Sequence, residues 1–330
     1  MWFSKAIGFF FLVYMAYVSY EKWAFRYDFL AYPEKLSAHN YPIPTGAGVV
    51  FSLIWLLWVL IWDKPVFLTI PVIASLVLTM TLGFCDDKIS LSPRWRLLGQ
   101  MIVAICCLQQ LGCPVLPGLS ALPQLSFVFF TMGFVWTINL FNFMDGSDGY
   151  ASMQALIIFL MLGSIWWLMG MHDLAFISWM MVGLLGVFLR WNWPNAKMFM
   201  GDVGSTFLGT LIALLALVMN QSLPDGWLYS YVLLMPFFID ATFSLLRKIA
   251  HGLSFSARHR QHAFTRLLTF GVSKQVLLVY QLLVNLVLSM LVLMGVVWQW
   301  SPWVLIAISA FLVIALYMLI EYIQPQSFDV

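Results

Sequence analysis

"VGSTFLGTLIALLALVMN", residues 203–220, carries no charged side chain. A helix needs about 20 predominantly apolar residues to cross the hydrocarbon of a bilayer, so this run reads as a membrane span. Ten similar runs lie outward from it, near 3–20, 46–62, 66–84, 97–111, 125–143, 150–170, 174–190, 227–246, 276–297 and 302–320; the one at 97–111 is short. The chain is 62% apolar and 9% charged, far from the roughly 25% charge of soluble domains. The expected fold is all-α, a polytopic integral membrane helical bundle of about eleven transmembrane helices. No repeat, low-complexity tract or long polar segment divides it, so residues 1–330 are expected to form a single membrane-embedded domain.

Basic residues set the orientation. No small-residue cleavage site follows the first run, and Lys22, Arg26 and Lys35 lie beyond it against Lys5 before it, so it reads as an anchor. With the N-terminus outside, one face collects Lys22, Arg26, Lys35, Lys88, Arg94, Arg96, Arg190, Lys197, Arg247, Lys248, Arg258, Arg260, Arg266 and Lys274. The other keeps Lys5 and Lys64. Loops rich in Lys and Arg stay cytosolic, which places the C-terminus in the cytosol as well. The net charge is +2 and no basic cluster is interleaved with aromatics, which argues against a nucleic-acid partner. Cys85, Cys106, Cys107 and Cys113 sit in or beside apolar runs without metal-type spacing and read as packing residues.

The acidic residues fall on the same face as the basic ones. "GFCDDKISLSPRWRLLGQ" brings Asp86 and Asp87, "NLFNFMDGSDGYAS" brings Asp145 and Asp148, and "MFMGDVGSTFLG" brings Asp202. Carboxylates packed together raise one another's pKa unless a cation neutralises them, so such a cluster asks for a metal. Oxygen donors without paired His or Cys favour Mg²⁺, with Mn²⁺ as the alternative. Each loop also has a plainer reading. Asp-Gly pairs form good turns, although the i, i+3 spacing of Asp145 and Asp148 puts both on one side if a helix begins there. Ser205 is a candidate N-cap for the helix after Asp202. In "SARHRQHAFTRLL" the alternation of Arg258, His259, Arg260, His262 and Arg266 suits either phosphate oxygens or anionic lipid headgroups. Asp240, about two turns inside a span, reads as a substrate or second-sphere metal contact, or as the partner of a basic residue such as Arg247.

"GFCDDKISLSPRWRLLGQ", "NLFNFMDGSDGYAS", "RWNWPNAKMFMGDVGSTFLG", "PFFIDATFSLLRK" and "ARHRQHAFTRL", five segments in order along the chain, resemble the polyprenyl-phosphate N-acetylhexosamine-1-phosphate transferases, glycosyltransferases of the family 4 type. The similarity is greatest to the bacterial branch that initiates O-antigen or similar surface polysaccharides in lipopolysaccharide biosynthesis. The resemblance implies a multi-pass enzyme of the bacterial inner membrane with catalytic cytosolic loops near 85–96, 139–150, 190–205 and 247–275. It implies transfer of a sugar 1-phosphate from a UDP-N-acetylhexosamine donor to undecaprenyl phosphate, with release of UMP and dependence on magnesium. Asp86 and Asp87 match the paired catalytic aspartates and are also metal candidates; Asp145 and Asp148 match a second catalytic pair near nucleotide and metal. Asp202 matches the magnesium-binding aspartate. Lys88, Asn139, Asn142, Asp240, Arg258, His259, Arg260 and His262 are the candidate substrate contacts. The stretch "YPIPTGAGVVF" departs from the family, with Thr45 in place of an arginine and Ala47 in place of a glycine.

Donor and acceptor are both anionic, so metal and cationic side chains must offset their repulsion. Direct attack by the lipid phosphate is favoured over an aspartyl intermediate, because a phosphate monoester with a second pKa of ~6 is already mostly dianionic near neutrality. A transporter or lipid flippase is the competing class, but its charged groups are expected near the midplane of duplicated halves. The sugar and the oligomeric state, with a homodimer among the options, stay open.

Overall fold

A computed structural model describes residues 2–33, 41–62, 65–252 and 262–325, of which no side chains of residues 2–6 or 62 are described. Among the described residues the regular structure is helical apart from one small sheet. Helices run α1 (Trp2–Arg26), α2 (Gly48–Trp62), α3 (Ile70–Ile89), α4 (Pro93–Leu111), α5 (Pro123–Met144), α6 (Tyr150–Leu168), α7 (His172–Asn192), α8 (Gly201–Ser222), α9 (Trp227–Ala250), α10 (Ala263–Thr269), α11 (Lys274–Val297) and α12 (Pro302–Ile323). The sheet pairs β1 (Leu30–Ala31) antiparallel with β2 (Ile43–Pro44), Leu30 opposite Pro44.

Each apolar run of the sequence falls on one helix, the run at 46–62 on the 15-residue α2. Among the described residues eight helices have the length and composition to cross a bilayer, which makes this a polytopic helical membrane protein. The short run at 97–111 begins earlier than its hydropathy suggests, because Pro93 at the first helical position starts α4 one turn upstream. Outward-facing side chains such as Phe311 (73% exposed), Met132 (68%) and Leu12 (67%) are greasy. Lipid, not water, suits such a surface.

The chain forms two compact units, 1–224 and 225–330. In the first, α8 is the axis: it is almost wholly buried, and α2, α3 and α5 pack against it. Gly48 and Gly83 allow the closest of these approaches, since a Cβ on Gly48 would lie 2.1 Å from the Cα of Gly204 and one on Gly83 2.5 Å from the Cα of Val203. Small residues at a crossing are how membrane helices bring their backbones together. In the second unit α9 packs on α11 and α12, and α10 sits against the latter two.

Candidate active site

The site is built in the first unit, where α8 begins. Gly201 has φ +71° and a Cβ on it would lie 2.6 Å from a carboxylate oxygen of Asp87, so a residue without a side chain turns the chain into the helix here. The helix starts at Gly201, not at a Ser205 cap as the sequence suggested; Ser205 lies a full turn inside and accepts from Asn142 Nδ2 at 3.3 Å. Asp87 takes over the capping. It reaches across from the last turn of α3, and its two oxygens accept the N–H groups of Asp202 at 2.7 Å and Val203 at 3.1 Å. A carboxylate there satisfies two orphan donors and complements the positive end of the helix.

The adjacent carboxylate is held in a different way. α3 ends on Ser90 in a left-handed conformation, the chain turns, and Ser92–Pro93 starts α4. Asp86, buried, accepts the Leu91 N–H at 2.7 Å and pairs with Arg96 of α4 at 2.7 Å. Arg96 also lies 3.8 Å from Asp202, which accepts from Asn142 Nδ2 at 2.7 Å through its other oxygen. Three loops far apart in the chain are thus linked by one line of contacts, Asp86–Arg96–Asp202–Asn142. One turn beyond, Asn139 and Gln100 exchange amide hydrogen bonds, the shorter 2.7 Å. Asp86, Arg96, Gln100, Asn139, Asn142 and Asp202 line an open cleft together with Thr79, Leu82, Gly83 and Thr206.

Asp145 and Asp148 occupy the loop between α5 and α6 rather than a helical face, because α6 begins only at Tyr150. Asp148 is buried and accepts the Ala196 N–H at 3.0 Å. Beside it, Asn192 accepts from Gly149 N and Ser152 Oγ and donates to the Met198 carbonyl, so the 145–149 loop is stapled to the segment entering α8. Asp145 is part-exposed, yet burial of its carboxyl, then the charges of Asp202, Asp87 and Asp148, push its pKa well above the ordinary carboxylate range. The Pro44–Gly48 stretch completes the floor. Ala47 and Gly48 donate to the carbonyls of Phe199 and Met200, and Phe199 donates to that of Pro44. The backbone of this stretch therefore braces the Asp202 loop, through N–H and C=O groups that do not depend on the side chains at 45 and 47.

Lys88 is exposed at the end of α3 and does not line the cleft. In the second unit Asp240 accepts the N–H groups of Ala263 at 2.7 Å and Phe264 at 3.3 Å and a hydroxyl from Ser244, so it caps α10. His262 lies at the N-cap of that helix, its Nδ1 3.7 Å from Asp240. Arg258, His259 and Arg260 lie outside the described residues. Sequence reasoning missed Arg96, Gln100 and Asn192. Arg96 was the most accessible of these, being brought back onto Asp86 by a turn that Ser90, Ser92 and Pro93 announce.

Among the described residues no three His, Cys, Asp or Glu side chains converge tightly enough to hold a metal by themselves. Mg²⁺ does not need such a cage, since it keeps waters and takes one or two carboxylates plus phosphate oxygens. Asp202, a third exposed in the cleft, with further carboxylates at hand, fits that demand. The oxygens of Asp86 and Asp87 are already engaged by Arg96 and by backbone N–H groups.

Asp87→Asn tests the capping. An amide presents one N–H₂ where two backbone donors need acceptors, which costs about 1–3 kcal/mol. The melting temperature of the detergent-solubilised protein should fall by about 5 °C; unchanged melting would show that Asp87 does not hold α8.

A family model described as glycosyl transferase family 4 matches residues 69–220. The chain is 30% identical over 264 residues to an undecaprenyl-phosphate alpha-N-acetylglucosaminyl 1-phosphate transferase of Thermotoga maritima, covering 78% of this chain and 80% of that one. It is 30% identical over 212 residues to a probable undecaprenyl-phosphate N-acetylglucosaminyl 1-phosphate transferase of Bacillus subtilis, 61% of this chain and 59% of the relative. Against a phospho-N-acetylmuramoyl-pentapeptide-transferase of Caldicellulosiruptor bescii the identity is 32% over 195 residues, 54% and 61% of the two chains. The chain spans about three fifths of the length of these last two relatives.

Proposed function

The chain belongs to glycosyl transferase family 4, the polyprenyl-phosphate hexosamine-1-phosphate transferases, and on that footing we propose that it transfers an N-acetylhexosamine 1-phosphate from a UDP-sugar to undecaprenyl phosphate, releasing UMP. The product would start a lipid-linked surface glycan of the O-antigen kind. The observation that carries the reading is the Asp86–Arg96–Asp202–Asn142 line, assembled from three loops around one cleft. A transporter has no use for such a line at helix ends. The Lys and Arg distribution supports eleven crossings with the N-terminus outside; on that reading the cleft would open at the cytosolic face of the inner membrane, where nucleotide sugars are available.

In the reaction a phosphate oxygen of the lipid attacks the sugar-bearing phosphorus of the donor. The new P–O bond forms as the bond from that phosphorus to the oxygen bridging the two donor phosphates breaks, and UMP leaves with the bridging oxygen. Bound Mg²⁺ would neutralise diphosphate oxygens and stabilise the leaving phosphate. Asp202 would hold it, with Asn142 fixing the carboxylate through the 2.7 Å hydrogen bond. Arg96 supplies positive charge at the cleft where two anions must approach. Asp86 and Asp87 orient rather than attack: their oxygens accept from Arg96 and from backbone N–H groups, which lowers their nucleophilicity and favours direct transfer. His262, with Arg258, His259 and Arg260, would contact the donor.

Membranes containing the protein should move label from a UDP-N-acetylhexosamine to undecaprenyl phosphate, and EDTA should reduce that transfer by at least about a hundredfold. A panel of UDP-sugars identifies the donor. Equal turnover in chelator removes the metal; no turnover with any donor removes the function.

A further inference from the structure

The cleft of the first unit has two levels. The outer one is the charged line Asp86–Arg96–Asp202–Asn142 at the helix ends. The inner one lies one to two turns further along the same helices and is neutral: Gln100 on α4, Asn139 on α5, Thr206 on α8, and Thr79, Leu82 and Gly83 on α3. Gln100 is seven residues from the start of α4 at Pro93, roughly 10 Å by helical rise. Leu97 and Met101 of the same helix are exposed apolar side chains, so α4 borders lipid at this depth.

Hydrogen bonds fix which atom of Gln100 faces the cleft. The Val135 carbonyl can only accept, so Asn139 turns Nδ2 toward it, at 2.8 Å. The second N–H of Nδ2 goes to Gln100 Oε1 at 2.7 Å. That leaves Nε2 of Gln100, whose contact among the described residues is Asn139 Oδ1 at 3.5 Å, too long for a strong hydrogen bond. An amide nitrogen carries two N–H groups, so at least one of them has no partner among the described residues. The side chain is buried, and an open donor there is costly unless something in the cleft accepts from it.

The other side chains of the inner level offer no competing donor. Thr79 gives its hydroxyl hydrogen to the Ser75 carbonyl at 3.0 Å and Thr206 gives its own to that of Asp202 at 2.6 Å; Leu82 and Gly83 add no polar side chain. A nucleotide sugar, with a base and several hydroxyls to satisfy, fits such a wall badly. The head of an amphiphile fits it, with one anionic oxygen to accept from the amide and a hydrocarbon tail that belongs in the bilayer. We propose that Gln100 is an acceptor-binding residue: its Nε2, aimed by Asn139, donates to a phosphate oxygen of the polyprenyl phosphate. This rests on the transferase reading above and gives its second substrate a place. Asn139 is then a positioning residue for the acceptor. Arg96, four residues before Gln100 on the same face of α4, sets positive charge beside the seated phosphate.

The test is Gln100→Met in the full-length protein, since methionine keeps the length and removes the amide. Undecaprenyl phosphate titrated into the detergent-solubilised variant should bind at least about tenfold more weakly than to the wild type, as for a lost hydrogen bond to a charged group. Undecaprenol, which lacks the phosphate, should bind both proteins alike. In the transfer assay the KM for undecaprenyl phosphate should rise about tenfold while the donor KM stays within about twofold. If Q100M does not fold, Gln100→Glu keeps an oxygen for Asn139 Nδ2 and sets a negative charge against the phosphate; the acceptor KM should then rise at least about fiftyfold. Inorganic phosphate that bound the wild type as tightly as the lipid does would make this a free-phosphate site and overturn the acceptor assignment. In a wild type that transfers label, unchanged lipid affinity in the variants, or a donor KM that rises with the acceptor KM, overturns this inference alone. A wild type that transfers nothing with any donor overturns the functional reading and this inference with it.

Discussion

Asp202→Asn should abolish sugar-phosphate transfer, by about a thousandfold or more, in a protein that still inserts and melts normally. Asparagine has the shape of aspartate, so no cavity opens, and its side-chain oxygen can still accept from Asn142. The first turn of α8 loses a favourable negative charge, worth about 0.3–1 kcal/mol, but is relieved of repulsion from Asp87 and Asp145. The two effects oppose each other, so melting temperatures of wild type and variant should agree within about 2 °C. The metal reading adds a second expectation. Millimolar MgCl₂ should raise the melting temperature of the wild type, because a ion that binds the folded form stabilises it, and should leave that of the variant unmoved. Label transfer to undecaprenyl phosphate above a tenth of the wild-type rate would remove Asp202 from the metal site, as would an undiminished Mg²⁺ shift.

Gly83→Ala should be nearly as damaging without touching any chemical group. A Cβ at Gly83 would lie 2.5 Å from Val203 Cα and 2.7 Å from both Val203 N and the Asp202 carbonyl. None of these is the movable end of a side chain, so α3 and α8 must separate. They would do so where Asp87 spans between them to cap Asp202 and Val203. Overpacking of this kind costs about 1–3 kcal/mol, and a displacement near 1 Å at reacting groups costs about a hundredfold in rate. Melting should therefore fall by about 5 °C and transfer by about a hundredfold. Normal activity in G83A would mean that the α3–α8 contact does not set the site.

Together with Asp87→Asn, these two variants separate what each aspartate does. Asp202→Asn removes chemistry and spares the fold, whereas Asp87→Asn and Gly83→Ala disturb the scaffold that aims Asp202. If Asp87 instead took part directly in the reaction, its asparagine variant would lose activity without losing stability. A single pair of measurements on each protein, melting and transfer, distinguishes these cases.

The helices of this protein were legible residue by residue, because hydrocarbon demands that every backbone group be satisfied within its own segment and that side chains be apolar. Both demands act locally, so runs such as 203–220 and 276–297 land on α8 and α11 with ends displaced by a few residues at most. The acidic loops were legible for the related reason that charge beside a span is costly and therefore has a purpose. The division of labour within the loops was not. That Asp87 caps a helix 115 residues further on, that Arg96 joins Asp86 to Asp202, that Ser205 is interior and that Asp240 serves α10 all depend on which backbones come within hydrogen-bond reach. A carboxylate reads alike along the chain whether it holds a metal, a guanidinium or an N–H, and only packing decides which of these it meets.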